Sequence, residues 1–172
     1  MKHEQKVVLA GAISGVLLMI VGLWYLTLVM ASPIGPLTVA DRIAYALGAN
    51  VFALVPLFIM LVTVGNARFF SEAIDPTRHA EDKHMKIDGR VADNTLQQNF
   101  VFFVATLAVS TVIPSEQLQL IWAAAAVFVV ARFIFWIGYR FHPLYRAPGM
   151  SATAYLNLGI IFYTLLRLFK IM

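Results

Sequence analysis

The chain has 172 residues, of which 60% are apolar and only 13% are charged. Soluble domains are about 45–50% apolar and about 25% charged, so this composition, with a mean hydropathy of +0.79, excludes a water-soluble protein with a single core. The chain has no cysteine, which excludes disulfides and thiolate metal sites. Its net charge of +4 is spread between apolar runs instead of forming a basic face for nucleic acid. The sequence therefore predicts an integral membrane protein with no nucleic-acid partner.

Five apolar runs are each long enough to cross a bilayer, which takes about 20 helical residues. In chain order they cover residues 7–31, 43–65, 91–114, 118–141 and 150–169. The first run also resembles a signal peptide, but the apolar part of a signal is only about 7–15 residues long, so we favour an uncleaved helix. Gly11 and Gly15 in this run suit close helix packing. The runs are continuous and lack the alternation of membrane β-strands, so they predict an all-α fold.

A polar segment at residues 66–90 separates the second and third runs, and a basic turn at residues 140–149 precedes the last run. With the N-terminus in the cytoplasm, nine Lys and Arg residues flank the membrane on that side and three on the other. The positive-inside rule therefore predicts a cytoplasmic N-terminus, with the long loop and the basic turn on the same face. His79 and His84 in the long loop do not share a helix face, and we predict no metal site.

Polar side chains continue from the loop into the third run. At about 100° per residue, Arg90, Asn94, Gln97 and Gln98 fall at about 0°, 40°, −20° and 80° on a helix, so they form one polar stripe. Such a stripe is compatible with a helix end that surfaces into lipid headgroups. However, six polar residues between positions 93 and 99 reach nearly two turns into the membrane. Because polar side chains are costly there, we favour a stripe that lines a ligand site.

A second polar set belongs to the fourth run and the turn after it. Arg132 and Tyr139 are seven residues apart and share a helix face. Arg132 lies deep in the run, where a guanidinium needs an anionic or carbonyl partner. Anchoring at the positive side of the membrane explains Arg140. Arg146 differs, because it directly precedes Ala147-Pro148-Gly149 at the start of the last helix and is placed to point into a cleft.

These blocks resemble the MAPEG superfamily, the membrane-associated proteins in eicosanoid and glutathione metabolism. Residues 90–98 (RVADNTLQQ) resemble the R-x-x-x-N-x-x-E signature of that family, and residues 132–139 (RFIFWIGY) resemble its R-x-x-Y-x-x-G-Y block. Residues 144–148 (LYRAP) are similar to the segment that carries its catalytic arginine. The resemblance covers residues 43–170. The chain thus looks like a bacterial-type member, with an extra N-terminal transmembrane helix and linker in residues 1–42 and a four-helix membrane domain in residues 43–172.

The resemblance implies a homotrimer in the bacterial inner membrane that binds glutathione as co-substrate between neighbouring subunits, near the cytoplasmic face. A lipophilic small molecule would arrive from the bilayer, and the activity would be that of a glutathione-dependent transferase or peroxidase. On matching positions Arg146 would stabilise the thiolate. Asn94 and its neighbours would hold the peptide, while Arg132 and Tyr139 would meet its carboxylates and backbone. The full set of candidate glutathione-binding residues is Arg90, Asn94, Gln97, Gln98, Arg132, Tyr139 and Arg68.

Two positions depart from the family pattern. Gln97 stands where the family usually has glutamate, and Phe135 stands where tyrosine is common. Gln97 keeps a carbonyl acceptor but offers no charge to the amine of glutathione, which leaves catalysis open. One alternative is therefore a non-catalytic protein of the same fold that binds a lipid or a partner protein. Another is a small transporter component in which Asn94 and Arg132 line a pathway, although the paired carboxylates and interrupted helices of such proteins are missing from the sequence.

Overall fold

The computed structural model describes residues 1–35 and 37–171, which contain five long helices and no strand. The helices are α1 (His3–Val29), α2 (Val39–Phe69), α3 (Lys83–Val112), α4 (Gln119–Phe141) and α5 (Ala147–Ile171). Short 3-10 turns lie between them at Glu72–Ile74, Pro76–Arg78, Ser115–Gln117 and Pro143–Arg146. Each of the five helices is long and apolar enough to cross a membrane. This confirms the predicted all-α, multi-pass membrane protein.

The helices α2 and α3 extend well beyond their apolar runs. The loop predicted at residues 66–90 is therefore wrong at both ends, since only residues 70–82 lie between the two helices. At the start of α3 the Asp82 carboxylate accepts a hydrogen bond of 2.8 Å from the Met85 backbone N–H, which caps the helix. Hydropathy marks only the part of a helix that lies in the bilayer, whereas a capped helix continues into water. The polar stripe consequently starts about two turns inside α3.

Helices α2 to α5 pack as a bundle whose contacts use small residues. Ala49 and Ala53 of α2 belong to the same buried cluster as Ala125 of α4. In the same cluster the rings of Phe102 and Phe128 join α3 to α4, with centroids 4.7 Å apart. In lipid the hydrophobic effect does not drive helices together, so close van der Waals contact between small side chains has to hold them. A second buried cluster, nearer the start of α3, consists of Leu57, Met60, Ile87, Val91, Ala92, Phe135 and Tyr139.

The additional helix α1 packs on α5 and α4. Gly15 is buried, and a Cβ at this position would run into the Pro148 carbonyl and the Ser151 hydroxyl. The Ser151 hydroxyl donates a hydrogen bond of 3.0 Å to the Ala12 carbonyl. Ser151 can come this close because Gly15 has no side chain. The close approach that Gly11 and Gly15 predict is therefore a contact within the chain, between α1 and the start of α5.

An ion pair between a buried carboxylate and an exposed arginine joins the start of α3 to the end of α4. Asp88 is 2% exposed and accepts hydrogen bonds from Nε and Nη2 of Arg140, at 2.8 and 2.5 Å, and from the Trp136 indole at 2.7 Å. Arg140, which the sequence assigns to membrane anchoring, thus also holds two helices together. The ion pair joins α3, which carries the polar stripe, to the end of α4, just before the 143–146 turn.

We expect Gly15→Leu to destabilise the protein, because the new side chain cannot fit between α1 and Pro148. Overpacking of this kind costs roughly 1–3 kcal/mol, which should lower the Tm measured by thermal unfolding in a mild detergent. Gly65→Leu on α2 is the matched control, since a Cβ at Gly65 meets no atom of the chain within 4 Å. Identical Tm values for the two variants would contradict the packing of α1 described above.

Candidate functional site

A polar cleft of about 390 Å³ opens between the first half of α3, the end of α4 and the turn that leads into α5. Its volume lies within the range of about 300–1,000 Å³ that is typical of small-molecule sites. The residues that line it are Arg90, Asp93, Asn94, Gln97, Phe135, Tyr139, Arg146 and Met150. Five of the residues predicted from the sequence are therefore brought together: Arg90, Asn94, Gln97, Tyr139 and Arg146.

One wall of the cleft is a single face of α3. Arg90, Asp93, Asn94 and Gln97 follow the spacing i, i+3, i+4 and i+7, which places their side chains on one side of a helix. Arg90, Asp93 and Gln97 are exposed, whereas Asn94 is partly buried and lies against the rest of the bundle. This wall offers a ligand one guanidinium, one carboxylate and two amides.

The opposite wall consists of α4 and the turn at residues 143–146. Tyr139 packs edge-on against Phe135, with ring centroids 6.0 Å apart. The guanidinium carbon of Arg146 lies 4.9 Å from the centre of the Tyr139 ring, a cation–π distance. Gly138 makes this geometry possible, since a Cβ there would run into the Tyr145 carbonyl. The glycine lets the turn fold back over α4 and brings Arg146 to the edge of the cleft, where it is exposed within one chain.

Arg132 lies behind the cleft and is not among the residues that line it. Its side chain is 0% exposed and donates hydrogen bonds to Asn94 Oδ1 at 3.0 Å, to the Gly149 carbonyl at 3.1 Å and to the Thr153 hydroxyl. The guanidinium also lies 4.6 Å from the centre of the Phe135 ring. The sequence predicts an anionic or carbonyl partner for this guanidinium, and the structure gives it three neutral oxygens, one of them a backbone carbonyl. Within the described residues Arg132 forms no ion pair.

The contact with Arg132 orients Asn94. Because the Asn94 carbonyl oxygen accepts from Arg132, its NH₂ group is the part of the amide that remains for the cleft. Gly149 lets the start of α5 come close enough to α4 for its carbonyl to accept from Arg132. A Cβ at this position would run into the Ala131 carbonyl and the Phe135 backbone. Arg132 is therefore placed to position a binding residue. A direct contact between Arg132 and a ligand carboxylate, which the family resemblance suggested, does not fit its complete burial.

Two other candidates lie outside the cleft. Gln98 faces α5, where Asn157 Nδ2 donates to its Oε1 at 3.0 Å and to its carbonyl at 3.2 Å. Its angle on the helix, about 100° away from Gln97, turns it to α5, so Gln98 does not line the cleft with the other residues of the stripe. Arg68 at the end of α2 forms an ion pair with Glu81 at 3.0 Å and holds the loop at residues 70–82 against the helix.

The structure adds Asp93 and Met150 to the cleft. Asp93 was recognised as polar but was not predicted as a site residue. The helical spacing could have predicted it, because Asp93 lies four residues before Gln97 and therefore one turn away on the same helix face. Met150 has no such signal, because only the fold of the 143–146 turn brings it beside Phe135 and Tyr139.

The fold and the cleft define a class, that of multi-pass helical membrane proteins with an arginine-lined cleft at one end of the bundle. The MAPEG family model matches residues 43–166, and the chain belongs to the MAPEG family. The match begins after α1. Transmembrane protein 79 of Mus musculus is 22% identical over 134 residues, and that of Bos taurus is 21% identical over 134 residues. Each alignment covers 78% of this chain and 34% of the relative, so the chain spans about a third of the length of these curated relatives. No solved structure matches the chain.

We expect Arg132→Ala to destabilise the protein by roughly 2–5 kcal/mol, because it leaves a cavity and unpaired buried acceptors where Asn94 and Gly149 meet the guanidinium. Arg146→Ala removes a side chain of the same type that is exposed, and its cost should stay below about 1 kcal/mol. Denaturant unfolding in micelles measures both. A loss of equal size in the two variants would show that Arg132 does not hold the helices together.

Proposed function

We propose that this MAPEG-family chain is a membrane-bound, glutathione-dependent transferase or peroxidase that acts on a lipophilic electrophile. The observation that carries the proposal is the convergence of Arg90, Asn94, Gln97 and Arg146 from α3 and the 143–146 turn on one cleft. Polar side chains are costly inside the membrane, so a cleft that brings several of them together is suited to a polar ligand.

The charges of the cleft complement those of glutathione. The tripeptide carries two carboxylates and one ammonium, and the cleft carries two guanidinium groups and the Asp93 carboxylate. Arg90 suits a carboxylate of the ligand, and the Asn94 NH₂ suits a carboxylate or a peptide carbonyl. Asp93 suits the ammonium. The glutamate that the family usually has at the position of Gln97 carries a negative charge, which Gln97 lacks. In this assignment Asp93 supplies that charge from one turn earlier on α3.

Arg146 has the role of stabilising the thiolate. A free thiol has a pKa of about 8.5, and lowering it by about two units takes roughly 2.7 kcal/mol. A guanidinium about 4 Å away supplies only about 1 kcal/mol in water, but about 4 kcal/mol at an effective dielectric constant of about 20. Since Arg146 is exposed within one chain, the shelter has to come from a second copy. We therefore propose a homotrimer whose cleft lies at the subunit boundary.

The chemistry follows from bringing a thiolate to a molecule dissolved in the bilayer. In transfer, the sulfur attacks an electrophilic carbon, a C–S bond forms, and the leaving group departs with the electron pair of its bond. With a hydroperoxide, the sulfur attacks the outer oxygen, the O–O bond breaks to give an alcohol, and a second glutathione converts the sulfenic acid into a disulfide and water. Phe135 and Met150 give the cleft an apolar side for the second substrate, and proximity removes much of the entropic barrier.

The cleft is placed on the cytoplasmic side of the inner membrane in this proposal. The basic residues near the cleft end of the bundle outnumber those at the other end, and the positive-inside rule assigns that end to the cytoplasm. Cytoplasmic glutathione then reaches the cleft from water. The lipophilic substrate reaches it laterally from the bilayer.

A non-catalytic protein of the same fold is the second candidate function, and the uncharged Gln97 and the exposed Arg146 favour it. The transporter alternative has less support. Arg132 is fully buried and hydrogen-bonded to Asn94, Gly149 and Thr153, so it does not line a passage. Titration of the purified wild-type chain with glutathione separates the first two candidates. A chain that binds no glutathione at millimolar concentration is not the proposed enzyme.

We expect Arg146→Ala to reduce thiol transfer to a lipophilic electrophile by up to about a hundredfold, because the thiolate loses a stabilisation of about two pKa units. The ultraviolet absorbance of the thiolate, measured during the titration with glutathione, should disappear together with turnover. Arg146→Lys should retain part of both, since it keeps the charge. Chemical cross-linking should show the same assembly as in the wild type. Unchanged turnover in Arg146→Ala would refute the assigned role.

We expect Asp93→Asn to weaken glutathione binding about two- to fivefold, the effect of losing one exposed ion pair of up to about 1 kcal/mol. Adding Gln97→Glu to this variant should restore the affinity, because the negative charge returns one turn away. Glu116→Gln, an exposed substitution between α3 and α4 at the other end of the bundle, is the control for general electrostatics. Calorimetric titration with glutathione and with an analogue that lacks the amine measures these effects. The analogue should bind the wild type and Asp93→Asn equally.

A further inference from the structure

A second cavity lies in the other half of the bundle. It has a volume of about 250 Å³ and is lined by residues of α1, α3, α4 and α5. Val109 belongs to its lining and follows Asn94 by 15 residues in α3, which is about 22 Å along the helix axis. The cavity is therefore separate from the polar cleft and lies towards the opposite membrane surface.

The lining of this cavity is apolar. Met19 and Leu23 of α1 and Leu156 and Ile160 of α5 contribute to it. Thr106 also lines it, but its hydroxyl donates to the Phe102 carbonyl at 2.7 Å and accepts from Asn50 at 2.8 Å. An apolar cavity of about 150 Å³ already stays dry and takes up small apolar molecules. Water therefore does not fill this one, and its occupant has to be apolar where it meets these side chains.

Gly159 shows that the cavity has room beside α5. A Cβ at this position meets no atom within 4 Å, and the residue is exposed although its neighbours Leu156 and Ile160 pack in the bundle. The cavity thus opens sideways from α5 to the surroundings of the bundle. In a membrane those surroundings are lipid chains, which gain dispersion contacts when they fill a gap between helices.

Basic side chains lie just beyond the apolar lining. Arg167 follows the lining residue Tyr163 by one turn of α5, and its guanidinium lies 3.4 Å from the Val112 carbonyl, next to the lining residue Ile113. Arg42 donates to the Ile113 carbonyl from the other side, at 2.6 Å. In the described residues neither arginine forms an ion pair. The membrane surface at this end therefore combines an apolar cavity with two arginines that form no ion pair in the part of the chain that the structure describes.

We propose that this cavity binds one acyl chain of an anionic phospholipid, with the phosphate at Arg167. The apolar lining selects a hydrocarbon chain, the lateral opening at Gly159 gives a lipid access, and the guanidinium one turn further along α5 matches an anionic headgroup. The site involves α1, which lies before the segment matched to the family. It is independent of the proposed glutathione chemistry, and either can fail without the other.

The first test fills the cavity. Gly159→Leu places a side chain in the empty space without a clash, and it also improves helix propensity, so the variant should fold. Gly65→Leu is the matched control, an exposed helical glycine on α2 with the same free space. Native mass spectrometry of protein released from nanodiscs of equal phosphatidylcholine and phosphatidylglycerol counts the retained lipids. We expect one phosphatidylglycerol per chain in the wild type and in Gly65→Leu, and at least about fivefold less in Gly159→Leu.

The second test concerns the headgroup. Arg167→Gln should lose the preference for phosphatidylglycerol over phosphatidylcholine, which we expect to be about fivefold in the wild type. Lys6→Gln, at the opposite end of the bundle, should keep it. A photoactivatable phosphatidylglycerol with its reactive group in the acyl chain should label residues 155–163 of α5.

Wild-type protein that retains no lipid, or a Gly159→Leu variant that retains as much as the wild type, would rule out the cavity as a chain-binding site. Equal retention of the two phospholipids by the wild type would overturn the assignment of the phosphate to Arg167. Photolabelling spread evenly over the lipid-facing sides of the helices would show ordinary boundary lipid instead of a bound molecule.

Discussion

The hydrogen bonds of Arg132 are the interaction on which the rest of the structure depends. A guanidinium that is fully buried in a membrane bundle has no access to water, so its N–H groups have to find oxygens of the protein. Nη1 and Nη2 find Asn94 on α3 and Gly149 and Thr153 on α5, which ties three helices to one side chain, whereas Nε has no partner among the described residues. The same bonds orient the amide that faces the cleft and fix the start of α5, directly after Arg146. Fold and site therefore share one polar centre.

Three glycines complement this polar centre, because each of them lets its helix approach a neighbouring segment where a side chain would separate the two. Gly138 lets the 143–146 turn fold onto α4, and Gly149 brings α5 against α4 at the level of Arg132. Gly15 does the same between α1 and Pro148. In lipid, packing of small residues replaces the hydrophobic effect as the force between helices. The shape of the cleft thus depends on positions that make no contact with a ligand.

Most of the fold could be predicted from the sequence, because continuous apolar runs indicate membrane helices directly. The limits of the helices could not, since they depend on caps such as Asp82 and not on hydropathy. Helical spacing correctly joined Asn94 to Gln97, but it included Gln98, whose partner Asn157 lies 59 residues away in the chain. It also left out Asp93, although the same spacing contains it. A single-helix pattern predicts which residues share a face, whereas the neighbour that this face meets is set by the packing of the whole bundle.

Helix α1 connects the two halves of the molecule through one of its faces. Gly15, Met19 and Leu23 follow each other at intervals of four residues and therefore lie on the same side of the helix. At Gly15 this face is flat and touches the start of α5, near the turn that carries Arg146. At Met19 and Leu23 the same face carries larger side chains, which line the apolar cavity. One face of α1, an element that precedes the segment matched to the family, therefore packs against the start of α5 and also forms a wall of the apolar cavity.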